Sequence, residues 1–235
     1  MLSWLIDIII CIHGFYTYES KKAPLNKDFS ATLWISMLSD FFNETPTSTQ
    51  LQSYLAEVAS GARIPLPEPE LKSYPDAVYF NYYALGISLL FTPSKGQTKS
   101  PLDYEALSLD GIDIYNTTKD AKQSKGKTYS QFSLLPMKLS ATIGSTDSIP
   151  NQFELKAETT GQDLVRALGE PTRKGGGAGP STGSISIWCE WSALGIMVEF
   201  GGEEARGPQA WERGKDAVWK VVTLFPPKNS RAWAW

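Results

Sequence analysis

A chain of 235 residues is long enough for one large domain or two small ones, and 42% apolar residues supply a globular core. A net charge of −3 excludes the basic field that non-specific nucleic-acid binding needs. A single histidine, His13, and two cysteines, Cys11 and Cys189, exclude His-dependent triads, a His-rich zinc set and a disulfide framework.

Residues 1–29 read as an N-terminal extension. Its start, Met1 to Ile12, is apolar, but no Lys or Arg precedes Lys21, Asp7 interrupts the run, and no small-residue cleavage site follows. The run is too short to span a bilayer. It is expected either to dock on the body or to stay poorly integrated with it. The chain is therefore expected in the cytoplasm without stable membrane insertion; the alternative is secretion, with residues 1–20 acting as a signal.

Between Ser30 and Phe42, Leu33, Met37, Leu38 and Phe41 recur at helical steps, with Ser30 able to cap. Pro46 breaks this helix. A second, beginning near Thr47, places Leu51, Tyr54, Leu55 and Val58 on one stripe and ends at Gly61. Residues 64–75 hold four prolines and read as an extended connector.

The chain is organised around Val78 to Phe91, which alternates apolar and polar residues, stops at Ala84-Leu85-Gly86, and alternates again. That pattern is two half-buried strands joined by a tight turn, with Gly86 supplying a positive φ. Ile187 to Phe200 repeats it around Ala193-Leu194-Gly195. The echo extends to flanking elements. Ile112 and Val221 each lie 26 residues past their turn glycine (112 − 86 and 221 − 195), in segments that read as strands. Thr47 to Leu55 matches Thr160 to Leu168, each a capping-box-like helix start.

These echoes predict an α+β fold. Two α-β-β-β repeats, residues 30–116 and 159–227, form one continuous or two abutting antiparallel sheets with helices packed on one face. Residues 117–158 are the connector, in which Leu139, Ala141 and Ile143 alternate as in a strand; residues 228–235 are a tail with Trp233 and Trp235. In the second hairpin Ile185, Ile187, Cys189 and Trp191 should face the helices, with Cys189 a small buried hydrophobe.

Candidate chemistry is sparse. Glu203, Glu204, Glu212 and Asp216 are close enough in sequence for an acid/base pair, but Arg206, Arg213 and Lys215 make an ordinary charged loop the simpler reading. Gly126-Lys127-Thr128 lacks the earlier glycine of a phosphate loop, position 121 being Ala121. Asn43 and Asn116 begin glycosylation triplets. Arg173-Lys174 before a glycine run reads as a mobile loop, or, with Arg206, Trp211, Glu212 and Arg213 of the loop Gly201 to Lys215, as the site of an enzyme or of a small-ligand or phosphate binder. Such a site requires a concavity joining Arg173, Arg206 and Glu212. The second candidate is the sheet's outward face, where Tyr79, Tyr83, Trp188, Glu190, Met197 and Trp219 are expected. Aromatic residues and Met there mark a protein interface, unless another layer covers them. No catalytic residue, cofactor or metal is called for. The expected partner is a protein whose identity the residues do not reveal.

Leu168-Gly169-Glu170-Pro171 closing a capped helix, then a glycine-rich gap, an aromatic strand and Gly195-Ile196-Met197-Val198-Glu199-Phe200 resembles the small module of β-lactamase inhibitory proteins and of the SmpA/OmlA outer-membrane lipoproteins. A tandem pair looks like the former. The hairpin Gly86 to Phe91 is also similar to the eukaryotic phagosome assembly factor family. The resemblance covers residues 47–115 and 160–225, and no lipobox surrounds Cys11. It implies binding or scaffolding through the sheet or its loops.

Overall fold

A computed structural model describes residues 38, 40–96, 98, 101–117, 127–141, 151–177 and 185–227, all within one compact unit, Ala31–Trp235. Several expectations fall outside these residues: the apolar N-terminal segment with Cys11 and His13, most of the helix expected over 30–42, the Lys-rich start of the connector, Ile143 of its expected strand, the glycine run beyond Gly177, and the C-terminal tryptophans.

Ser48 caps α1 (Thr49–Gly61) through its side chain, which accepts from the Leu51 N–H; Leu51, Tyr54, Leu55 and Val58 form its buried stripe. Thr160 caps α2 (Gly161–Leu168) in a reciprocal box, its hydroxyl facing the Asp163 N–H and the Asp163 carboxylate facing the Thr160 N–H. Each helix leads into strands: β1 (Glu70–Ser73), β2 (Val78–Tyr82), β3 (Ile87–Pro93) and β4 (Leu107–Tyr115) after α1. Within the connector lie β5 (Met137–Ala141) and β6 (Asn151–Leu155). After α2 come β7 (Arg173–Gly175), β8 (Trp188–Trp191), β9 (Ile196–Phe200), a single helical turn α3 (Ala210–Arg213) and β10 (Trp219–Leu224).

Eight strands form one antiparallel sheet in the order β1-β2-β3-β4-β10-β9-β8-β7, so β4 and β10 meet at its centre. Each half is thus helix followed by four strands, not three. The added strands, β1 and β7, lie at the two edges and occupy stretches expected as a proline-rich connector and a glycine-rich loop. Both are too short for an alternation to show. The connector is also more than a link: β5 pairs with β6, and Met137, Leu139 and Leu155 join the main core.

The halves agree in local geometry. Gly86 has φ 67° and ψ 34°, and Gly195 has φ 66° and ψ 35°, each ending a 3-10 turn between its two strands. The Gly86 carbonyl accepts from the Tyr115 N–H and the Gly195 carbonyl from the Phe225 N–H, both at 2.9 Å. A register shift falls at the same place in each half. Leu90 and Phe91 oppose Gly111 and Leu109, while Glu199 and Phe200 oppose Val221 and Trp219. The residue equivalent to Ile112 is therefore Val222, opposite Val198 as Ile112 is opposite Leu89. The expected match to Val221 was one residue short.

One sheet face carries the core: Phe80, Ile87, Leu89, Ile112, Val198, Phe200 and Val222 are buried with the apolar stripes of α1 and α2. Ile185, expected on this face, is 70% exposed because β8 starts only at Trp188. Asn116 pins the central seam: its amide donates to the Ala157 and Trp219 carbonyls and its oxygen accepts from Gln131. That Asn is buried, so the folded chain offers no glycosylation acceptor at this triplet.

Candidate functional site

The outer face is traced by the strand registers. Its central file crosses all eight strands: Glu70, Asn81, Ser88, Asp113, Thr223, Met197, Glu190, Arg173. Polar groups in it are paired sideways. Ser88 donates to Asn81 at 3.0 Å, Thr223 to Asp113 at 2.7 Å, and Arg173 to Glu190 at 3.2 Å. Flanking files carry half-buried Tyr79 and Leu90 on one side and Tyr115, Val221, Glu199 and Trp188 on the other.

In the first half this face is concave. A cavity of about 520 Å³ gathers five tyrosines, Tyr74, Tyr79, Tyr83, Tyr115 and Tyr129, with Lys72 and Lys127 at its rim. Tyr129 comes from the connector. Its ring lies flat on Tyr115, centroids 3.6 Å apart, and tilts against Tyr83 at 4.6 Å. Its hydroxyl donates to the Asn81 side-chain oxygen at 2.5 Å. Lys127 pairs with Glu70, which lowers the Glu70 pKa chiefly through that hydrogen bond. Burial raises the pKa of Tyr115 and of Tyr129, so both rings stay neutral and act as hydrogen-bonding surfaces. Tyr74, Tyr115 and Tyr129 were not singled out from sequence, and Lys127 was weighed only as part of a phosphate loop. Tyr115 was legible, since it continues the alternation of β4; Tyr129 was not, because nothing local says that its segment folds back over the first hairpin.

Of the residues expected on the outer face, Tyr79, Tyr83, Trp188 and Met197 are there and half-buried. Glu190 is there but only 6% exposed, held by Arg173 and by the Ser192 hydroxyl at 2.6 Å. Trp219 is a correction. It is 1% exposed on the core side, and its Nε1–H donates to the Lys156 carbonyl at 2.7 Å. Plain alternation puts Trp219 with Val221 and Thr223; the bulge at Lys220 turns it inward.

Asp113 sits at the centre of this face. Burial raises its pKa most, the Thr223 hydrogen bond opposes that, and Glu199 adds to the rise. A carboxyl whose folded pKa is raised holds its proton more tightly folded than unfolded. Its contribution therefore falls as pH rises from the unfolded value, about 4, through the folded one, and the loss is complete above it. Asp113→Asn keeps an oxygen to accept from Thr223. It should raise the urea midpoint at pH 7, with the difference from the parent chain vanishing below about pH 4; equal midpoints at both pH values would contradict this.

The ligand site expected on the loops does not assemble. Arg173 turns to the outer face, Arg206 donates to the Ser186 hydroxyl, Arg213 donates to the Arg206 carbonyl, and Glu212 is exposed. Lys174 and Trp211 do meet, the ammonium 5.7 Å from the ring centroid. They border a different cavity, of about 420 Å³, on the core side between α2 and β8. Cys189 forms part of its floor as a 6% exposed free thiol whose pKa burial pushes up to about 11.

Among the described residues no group of three His, Cys, Asp or Glu is placed to hold a metal ion, and no helix is long and apolar enough to cross a membrane. Comparison of the chain with protein-family models, curated proteins and solved structures found no match.

Proposed function

We propose that the chain is a non-enzymatic protein-binding or scaffold module, built from two copies of one helix-and-four-strand unit and working through the outer face of its sheet. The observation that carries this reading is the tyrosine-lined cleft. Five of the chain's ten tyrosines line one concavity of about 520 Å³, beside a surface continued by Leu90, Val221, Met197 and Trp188. The solvated face of an antiparallel sheet is ordinarily polar. Tyrosine brings large contact area at little entropic cost and keeps a hydroxyl for a polar partner atom, which suits protein recognition. The resemblance to tandem inhibitor-type modules points the same way.

Tyr74 is 51% exposed and meets Tyr79 edge to face at 5.9 Å, so both reach the cleft mouth without carrying the core. The variant Tyr74→Ser, Tyr79→Ser should lose the partner that the unaltered chain retains in affinity capture, while its thermal midpoint stays within a few degrees. Retention of the same partner at the same level by the double variant would refute the reading.

A further inference from the structure

One matched core position differs sharply in size between the two halves. Phe80 lies six residues before Gly86, and Cys189 six before Gly195. Phe91 and Phe200 match, five residues after each glycine, and Tyr104 and Trp211 each lie in the segment joining the next two strands. In the first half Phe80 fills the space between its neighbours, with ring centroids 4.8 Å from Phe91 and 5.6 Å from Tyr104. In the second half the flanking rings Phe200 and Trp211 are present, but a thiol stands where the phenyl ring would be. The cavity of about 420 Å³ opens at this place, with Ile187 and Cys189 at its base and Phe200 and Trp211 among its walls.

We propose that this cavity is a socket for an aromatic side chain of an acidic peptide segment on a partner protein. The missing ring sets the shape of the occupant. The rim sets its charge: Lys174, Lys215 and Arg166 face the cavity against the single carboxylate of Glu170, with Arg166 already paired to Asp163 at 3.7 Å. Carboxylates next to the inserted ring meet the two remaining ammonium groups, and a cation over Trp211 is already in place at Lys174. The chain's own tail has aromatic residues too, Trp233 and Trp235, but Lys228 and Arg231 beside them carry the same sign as the rim. This socket lies on the opposite side of the sheet from the tyrosine cleft and stands or falls independently of it.

The test is a ¹⁹F NMR titration of the full chain with the blocked peptide acetyl-Asp-Glu-(4-fluoro-phenylalanine)-Glu-amide. Saturable binding is expected, weakened about tenfold or more by Cys189→Phe, which rebuilds the first half's packing and should keep or raise the thermal midpoint. Trp211→Ala, a substitution at a side chain that is 44% exposed, should weaken binding by a similar factor and covers the case in which Cys189→Phe does not fold. A peptide with lysines in place of the acids should bind about tenfold less tightly. No titration of the unaltered chain at millimolar peptide would overturn the proposal, as would binding indifferent to the variants or to peptide charge. Binding seen only after truncation at Pro227 would assign the socket to the chain's own tail and overturn it too.

Discussion

Replacing Gly86 or Gly195 by alanine is expected to cost about 3 kcal/mol or more each, among the largest effects of any single substitution here. Two causes add. An L side chain at φ 67° or 66° is strained. A Cβ would also sit 2.3 Å from the Ser130 carbonyl oxygen at Gly86, and 2.1 Å from that of Phe225 at Gly195. Both obstacles are backbone, so neither gives way by changing a rotamer. Gly96 separates the causes, because it has φ 71° with nothing within 4 Å of a built Cβ. Gly96→Ala should lose only about 1 kcal/mol by urea denaturation. Similar losses at all three positions would show that the close approach of the chain segments at Gly86 and Gly195 is immaterial.

Trp219→Ala is the second large expectation, at about 3–5 kcal/mol. Trp219 is among the largest fully buried side chains, and its loss leaves a cavity and removes the shorter of two hydrogen bonds to the Lys156 carbonyl, the Thr159 N–H at 3.2 Å remaining. Trp219→Phe removes the donor while keeping most of the ring, and should cost about 1–2 kcal/mol. Trp219 also ties β10 to the connector just after β6, so the alanine variant should loosen the small β5–β6 sheet before the eight-stranded one. Hydrogen exchange of Met137 to Ala141 in that variant checks the point: protection equal to that of β3 would contradict it.

The sequence made the two hairpins and both capped helices legible for a physical reason. Each is specified locally, by alternation around a glycine at Gly86 and Gly195, or by a capping side chain and an apolar stripe such as Leu51, Tyr54, Leu55 and Val58; the reciprocal box expected at both helices forms at Thr160 alone, α1 being capped by Ser48 and not Thr47. What stayed hidden is set by distant contacts. β1 and β7 exist because β2 and β8 offer them a free edge, not because Glu70 to Ser73 or Arg173 to Gly175 favours extension. The inward turn of Trp219 depends on an extra residue, Lys220, that its partner strand does not match. For the candidate site, Tyr79, Tyr83, Trp188 and Met197 followed from alternation alone. The cleft needed Tyr129, brought from 43 residues beyond Gly86 (129 − 86) to stack on Tyr115. The core-side socket was visible in sequence only as a mismatch between Phe80 and Cys189, which gains meaning once the halves are aligned strand by strand.

Photo-cross-linking discriminates most directly between the faces. Benzoylphenylalanine is placed at Tyr79 on the outer face, or at exposed Glu57 on α1, in otherwise unaltered chains. The account predicts that a protein partner is cross-linked from Tyr79 and not from Glu57. Cross-linking from Glu57 alone would move recognition to the helical side and contradict it.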